Sequence, residues 1–249
     1  MKLPTIFATT ISTVVVTALA AITLASPAKA DIFSGSSSGT WGDPVALGAS
    51  NPTPVFSGSG TNVFSWGDPS TFGTGQNKLS FAGNTSFLTE THSLFRVGDL
   101  TYFNGSVIPG TNVDFVPLNI LLNFSNIPDQ TFSFDFQLVS RPNQGTPQES
   151  ADSVFILDDP GRRSFFLAGK EFTLELTGFS QDGGSSNLKE FRVLEGAQTT
   201  AALYGKISQV TQPDPGNPPE KVPEPGTLAG ISLLGGYVIL RKKSSPANK

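Results

Sequence analysis

The chain has 249 residues, a formal net charge of −4, no cysteine and a single histidine. Without cysteine the fold rests on its apolar core alone, and one histidine excludes two-histidine metal sites and most acid–base pairs built on histidine. Between residues 31 and 211, nine Lys or Arg face seventeen Asp or Glu, a balance of −8; such a body repels phosphate backbones, so nucleic acid is excluded as an expected partner.

Lys2 precedes an apolar run over 6–24, and Ala28-Lys29-Ala30 then places small residues at the two positions a signal peptidase pocket reads. Residues 1–30 are expected to be a secretory signal peptide cleaved after Ala30, with an uncleaved anchor as the alternative. Residues 31–60 form a Gly/Ser/Pro-rich N-terminal segment, and the patterned body follows over 61–211. There, Phe132-Ser133-Phe134-Asp135-Phe136-Gln137-Leu138 alternates apolar and polar side chains, the period of a strand with one wet face. Residues 171–176 and 189–194 repeat that pattern, and 63–66, 78–81, 94–97, 100–103, 119–124, 154–157, 164–167 and 202–207 read as further strands. No window of the body has a 3.6-residue period.

Asn104-Gly105 stands between strand-forming residues, and both tolerate the positive φ of a tight type I′ turn, so a hairpin is expected over 101–108. Trp-Gly-Asp-Pro occurs twice, at Trp41 to Pro44 and at Trp66 to Pro69; two copies make no solenoid. About ten short strands, punctuated by turn residues and supplied with twenty phenylalanines, predict an all-β fold: a jelly-roll-like antiparallel β-sandwich, with a closed barrel second. Four prolines with polar spacers make 212–221 a stiff, solvated linker. The last segment, 222–249, opens on Val222-Pro223-Glu224-Pro225, continues in an apolar stretch over 228–240 and ends on Arg241-Lys242-Lys243.

Two resemblances follow from these motifs. "SWGDPSTFGTGQNKLSFAG", "FRVGDLTYFNGSVIPGT", "FTLELTGF" and "EFRVLEGAQTTAALYGKI" together resemble the choice-of-anchor K domain, found in exported bacterial proteins with varied surface-sorting tails. The resemblance implies an exported β-rich body and supplies no catalytic residues. The tail is similar to a PEP-CTERM sorting signal, which implies processing by the membrane protease-transpeptidase exosortase. By that likeness Pro223, Glu224 and Pro225 are the recognised motif. The apolar stretch, a short transmembrane helix, holds the substrate transiently in the inner membrane, and Arg241, Lys242 and Lys243 stay on the cytoplasmic side. Thirteen residues make a helix of about 20 Å against a hydrocarbon core of about 30 Å. Gly230, Gly235 and Gly236 weaken it further, as suits a brief hold better than a permanent anchor.

The chemistry-bearing residues are sparse. His92, Asp99 and a serine supply triad residue types, but no nucleophile-elbow sequence accompanies them. Asp152, Asp158 and Asp159 are weak Ca²⁺ candidates without EF-hand spacing. Trp41, Trp66 and Tyr102 are the aromatic candidates for stacking on a sugar, with packing against Gly/Pro turns as the alternative. The expectation is an exported, non-enzymatic cell-surface or extracellular-matrix protein without a cofactor, structural or adhesive alongside exopolysaccharide. Signal peptidase and an exosortase-type enzyme are its processing partners. A carbohydrate-binding module and a polysaccharide hydrolase are the alternatives.

Overall fold

The computed structural model describes residues 30–125, 127–157 and 163–210. Ala28, Asp158, Asp159, the linker and the whole tail, with Pro223, Glu224, Pro225, Arg241, Lys242 and Lys243, lie outside the described residues. Thirteen strands follow in order: β1 Ile32–Trp41, β2 Phe56–Ser57, β3 Val63–Trp66, β4 Asn77–Gly83, β5 Phe87–Glu90, β6 Leu94–Phe103, β7 Phe115–Phe124, β8 Gln130–Val139, β9 Asp152–Ile156, β10 Ser164–Leu167, β11 Lys170–Ser180, β12 Glu190–Val193 and β13 Gln198–Gln209. They form two antiparallel sheets, ordered β12-β9-β8-β7-β1-β5 and β10-β11-β13-β6-β4-β3-β2. The two sheets pack together as a β-sandwich, as the alternation predicts. Among the described residues no helix is long and apolar enough to cross a membrane.

The clearest sequence pattern is also the clearest strand. In β8, Phe132, Phe134, Phe136 and Leu138 are buried while Ser133 and Asp135 are exposed. Phe172, Leu174 and Leu176 of β11 do the same from the opposite sheet. Rings interleave across the interface: Phe33 meets Phe172 edge-on with centroids 5.2 Å apart, and Phe136 meets Phe179 tilted by 55° at 6.2 Å. These are the offset geometries that the ring quadrupole favours.

Three departures from the sequence reading have local causes. Residues 94–97 and 100–103 are one strand, β6, carrying a bulge: Leu203 pairs with Gly98 but Tyr204 pairs with Arg96, leaving Val97 as the extra residue. The bulge inverts the alternation, so Val97 and Gly98 are both buried, and the pattern reads as two strands.

The second departure is β1, which lies within the Gly/Ser/Pro-rich segment 31–60 yet runs between β7 and β5. Its Ser and Gly content is a packing requirement. A Cβ on Gly39 would stand 2.7 Å from the ring of Phe81 in the other sheet, and one on Gly35 would stand 2.0 Å from the Asn123 carbonyl oxygen. Phe33 and Trp41 supply the apolar ends of the strand, and small residues admit Phe81 between them.

The third is the expected hairpin over 101–108, which does not form. β6 pairs with β13 and β4, whereas β7 pairs with β1 and β8 in the other sheet. The Asn-Gly pair instead ties separate loops together. Asn104 is fully buried; its N–H donates to the Ala197 carbonyl and its Nδ2 to the Val193 carbonyl, while the Gly105 N–H donates to Asn77 Oδ1. Neither residue has a positive φ. Gly105 is required because a Cβ there would lie 2.0 Å from the Gly75 carbonyl oxygen.

The strand registers also give the sandwich two distinct ends. Ile32 pairs with Glu90, the His92 N–H donates to the Ile207 carbonyl, and the Val210 N–H donates to the Glu171 carbonyl. Both ends of the described body therefore lie at the pole of the β5–β6 turn. The opposite pole carries the β1–β2, β3–β4, β6–β7, β8–β9 and β12–β13 loops.

Candidate ligand cleft

At that opposite pole the loops enclose a cleft of about 700 Å³. Its floor is aromatic: Trp66 and Tyr102 stack with centroids 5.7 Å apart, and Trp66 stacks in turn on Phe64 at 5.7 Å. Above them stand three carboxylates from three loops or strand ends, Asp114, Asp152 and Glu195, together with Asn112, Arg141 and the rim residue Phe72. These positions are distant in sequence, and only the closing of the two sheets brings them to one place.

Each carboxylate has a loop-holding role. Asp114 Oδ2 accepts from the Leu47 N–H at 2.6 Å and from Asn51 Nδ2 at 2.9 Å, closing the β1–β2 loop onto the start of β7. Asp152 accepts from the Arg141 N–H at 2.7 Å and from the Ser140 hydroxyl at 3.1 Å, fixing the start of the β8–β9 loop. Glu195 Oε1 accepts from the Ser106 hydroxyl, joining the β6–β7 and β12–β13 loops. One oxygen each of Asp114 and Glu195, Oδ1 and Oε2, has no hydrogen bond among the described residues.

Burial raises the Asp152 carboxyl from 3.8 to about 6, against the lowering effect of its Arg141 and Ser140 bonds, and the charge of Glu195 adds to the rise. The Tyr102 phenol is pushed well above its ordinary value, first by burial and then by the charges of Asp152 and Glu195. Asp152, Glu195 and Tyr102 thus share one electrostatic environment. The Arg141 guanidinium is engaged within the protein, donating Nη1 to the Ala151 carbonyl and pairing Nη2 with Glu190 at 3.6 Å.

The sequence candidates are distributed differently from expectation. Trp41, Trp66 and Tyr102 are 0, 2 and 1 % exposed; a sugar platform needs an open ring face, so all three are corrected to core residues. Trp41 donates its indole N–H to the Asn62 carbonyl at 3.2 Å, and Trp66 and Tyr102 reach only the cleft floor. Of the Ca²⁺ candidates, Asp152 is buried and satisfied by Ser140 and Arg141, and the described residues contain no group of three or more metal-ligating side chains. His92 lies exposed in the β5–β6 turn at the far pole, with φ 68°, and Asp99 is paired with Arg96. The triad residue types are not assembled.

Sequence reading missed Phe72, Asn112, Asp114 and Glu195. For Phe72 a signal exists: it is a lone aromatic in a Ser/Thr/Gly-rich turn, "PSTFGTG", with no alternating neighbour to place it in a strand, and it is 50 % exposed. The others carry no local signal, because their meeting is set by loop closure. No family model and no curated protein matches this chain, so the likenesses to the choice-of-anchor K domain and the PEP-CTERM signal rest on their motifs.

Proposed function

We propose that this chain is an exported, non-enzymatic surface or matrix protein. Its leader is removed after Ala30, its tail is processed at Pro223-Glu224-Pro225, and its sandwich serves an adhesive role alongside exopolysaccharide. One observation supports the reading above all: the described body begins and ends at one pole, while the cleft opens at the other. A protein held by its C-terminal segment in a membrane, even briefly, presents the pole farthest from that segment to the outside.

Intact-mass spectrometry of the mature protein from its native host tests this reading. The expected mass starts at Asp31 and ends near Glu224; a mass retaining both the leader and the residues after Glu224 refutes it.

The hydrolase alternative has one observation in its favour. Asp152 and Glu195 line the same cleft, and a carboxyl held at about 6 is suited to general-acid work. Its test is release of reducing ends from neutral polysaccharides, abolished by Glu195→Gln. Against it, both oxygens of Asp152 are engaged by its own loop.

A further inference from the structure

The cleft has a chemical preference that its lining makes specific. Three carboxylates line it, and among the described residues the one guanidinium on its wall, Arg141, is engaged with Ala151 and Glu190. An anionic ligand would meet repulsion with no free cation among the described residues of the lining to offset it. Asp114 and Glu195 are half-buried and bond their loops through Oδ2 and Oε1, leaving Oδ1 and Oε2 as acceptors without donors among the described residues. Half-buried acceptors of this kind suit a donor-rich ligand. Phe72 presents a half-exposed phenyl ring on the rim, the flat apolar surface that complements the C–H face of a pyranose ring. The volume of about 700 Å³ lies within the range of small-ligand sites, about 300–1,000 Å³.

We propose that this cleft binds a saccharide without acid groups, stacking one ring on Phe72 and donating sugar hydroxyls to Asp114 Oδ1 and Glu195 Oε2. The inference deepens the adhesive part of the proposed function and is independent of how the tail is processed. It also narrows the ligand: neutral or amino-bearing glycans fit, and uronate or sulfated polymers do not. The polar acceptors set orientation, and Phe72 contributes contact area that a hydroxyl network alone does not provide.

The test is titration calorimetry on the full chain, held in a detergent without a sugar headgroup. The probes are cello-, chito- and chitosan oligosaccharides, oligogalacturonate, and oligolysine as a non-sugar cation. A neutral or amino oligosaccharide is expected to bind saturably. Phe72→Ala should weaken it about tenfold and Glu195→Gln several-fold, both with unchanged thermal unfolding. If either variant loses stability, Phe72→Leu replaces the first: it keeps the apolar bulk and lacks the flat ring, and should still lose several-fold in affinity. Absence of binding to every saccharide, tighter binding of oligogalacturonate, binding of oligolysine alone, or sugar affinity indifferent to both substitutions would each overturn the proposal. A failed mass test with intact sugar binding would reject the processing reading and leave this one standing.

Discussion

Asp152→Asn isolates a single buried charge. Its carboxyl sits at about 6 against an ordinary 3.8 because burial disfavours the anion more than the Arg141 N–H and the Ser140 hydroxyl favour it. The difference corresponds to about 3 kcal/mol of proton-linked stability. The folded chain holds this proton more tightly than the unfolded chain. Its contribution is therefore fully present below pH 3.8 and is lost as the pH rises through about 6. Between pH 7.5 and pH 4.5 the wild type should gain about 2 kcal/mol from this group, and the asparagine variant, which cannot titrate there, should gain none. Urea unfolding of both proteins at both pH values gives the answer as a difference of differences, in which carboxylates remote from Asp152 cancel and its neighbour Glu195 does not. The amide oxygen can still accept from the Arg141 N–H, so the variant is expected to fold. Parallel pH profiles for the two proteins would refute a raised Asp152 carboxyl.

Other perturbations probe the remaining links. Trp41→Ala removes a fully buried indole that touches Phe64 and Phe136, and should cost about 3–5 kcal/mol in chemical unfolding; a loss under 1 kcal/mol would mean that the ring is exposed after all. Gly105→Ala drives a Cβ against backbone at Gly75 and should cost more than about 2 kcal/mol, whereas Gly48→Ala, with open space around it, should stay within about 0.5 kcal/mol of wild type. Asp182 is held at about 2, first by the Ser186 hydroxyl, then by the Ser186 N–H and the Ser180 hydroxyl. Its ordering of the turn therefore persists above pH 3.8 and fades as the pH falls toward 2. Asp182→Ala should accelerate amide exchange at Ser186 at neutral pH and leave Leu174 unaffected.

Sheet composition was legible wherever one face of a strand is wet. Segments 132–138 and 171–176 alternate in sequence because water sits on one side and phenylalanine rings on the other. Legibility failed where a tertiary neighbour set the residue choice. β1 reads as a flexible Gly/Ser run, yet Gly35 and Gly39 are small because Asn123 and Phe81 occupy the space their side chains would fill. Asn104-Gly105 has the composition of a hairpin turn, and its carbonyl and amide partners at Val193 in β12, Ala197 in the β12–β13 loop and Asn77 in β4 are distant in sequence. A local motif states which backbone conformations are permitted; which one is used depends on partners the motif does not contain.

Acidity, the lack of cysteine and the all-β class are properties of the amino-acid sequence itself, because each depends on composition or on contiguous residues. Trp41, Trp66 and Tyr102 are sugar-stacking candidates by residue type alone, with packing against Gly/Pro turns as the alternative. Only the packing of the two sheets decided that these rings close the core and that Phe72 stands on the rim of an acidic cleft. Burial is a relation between residues from different strands, and it exists only once the sheets have met.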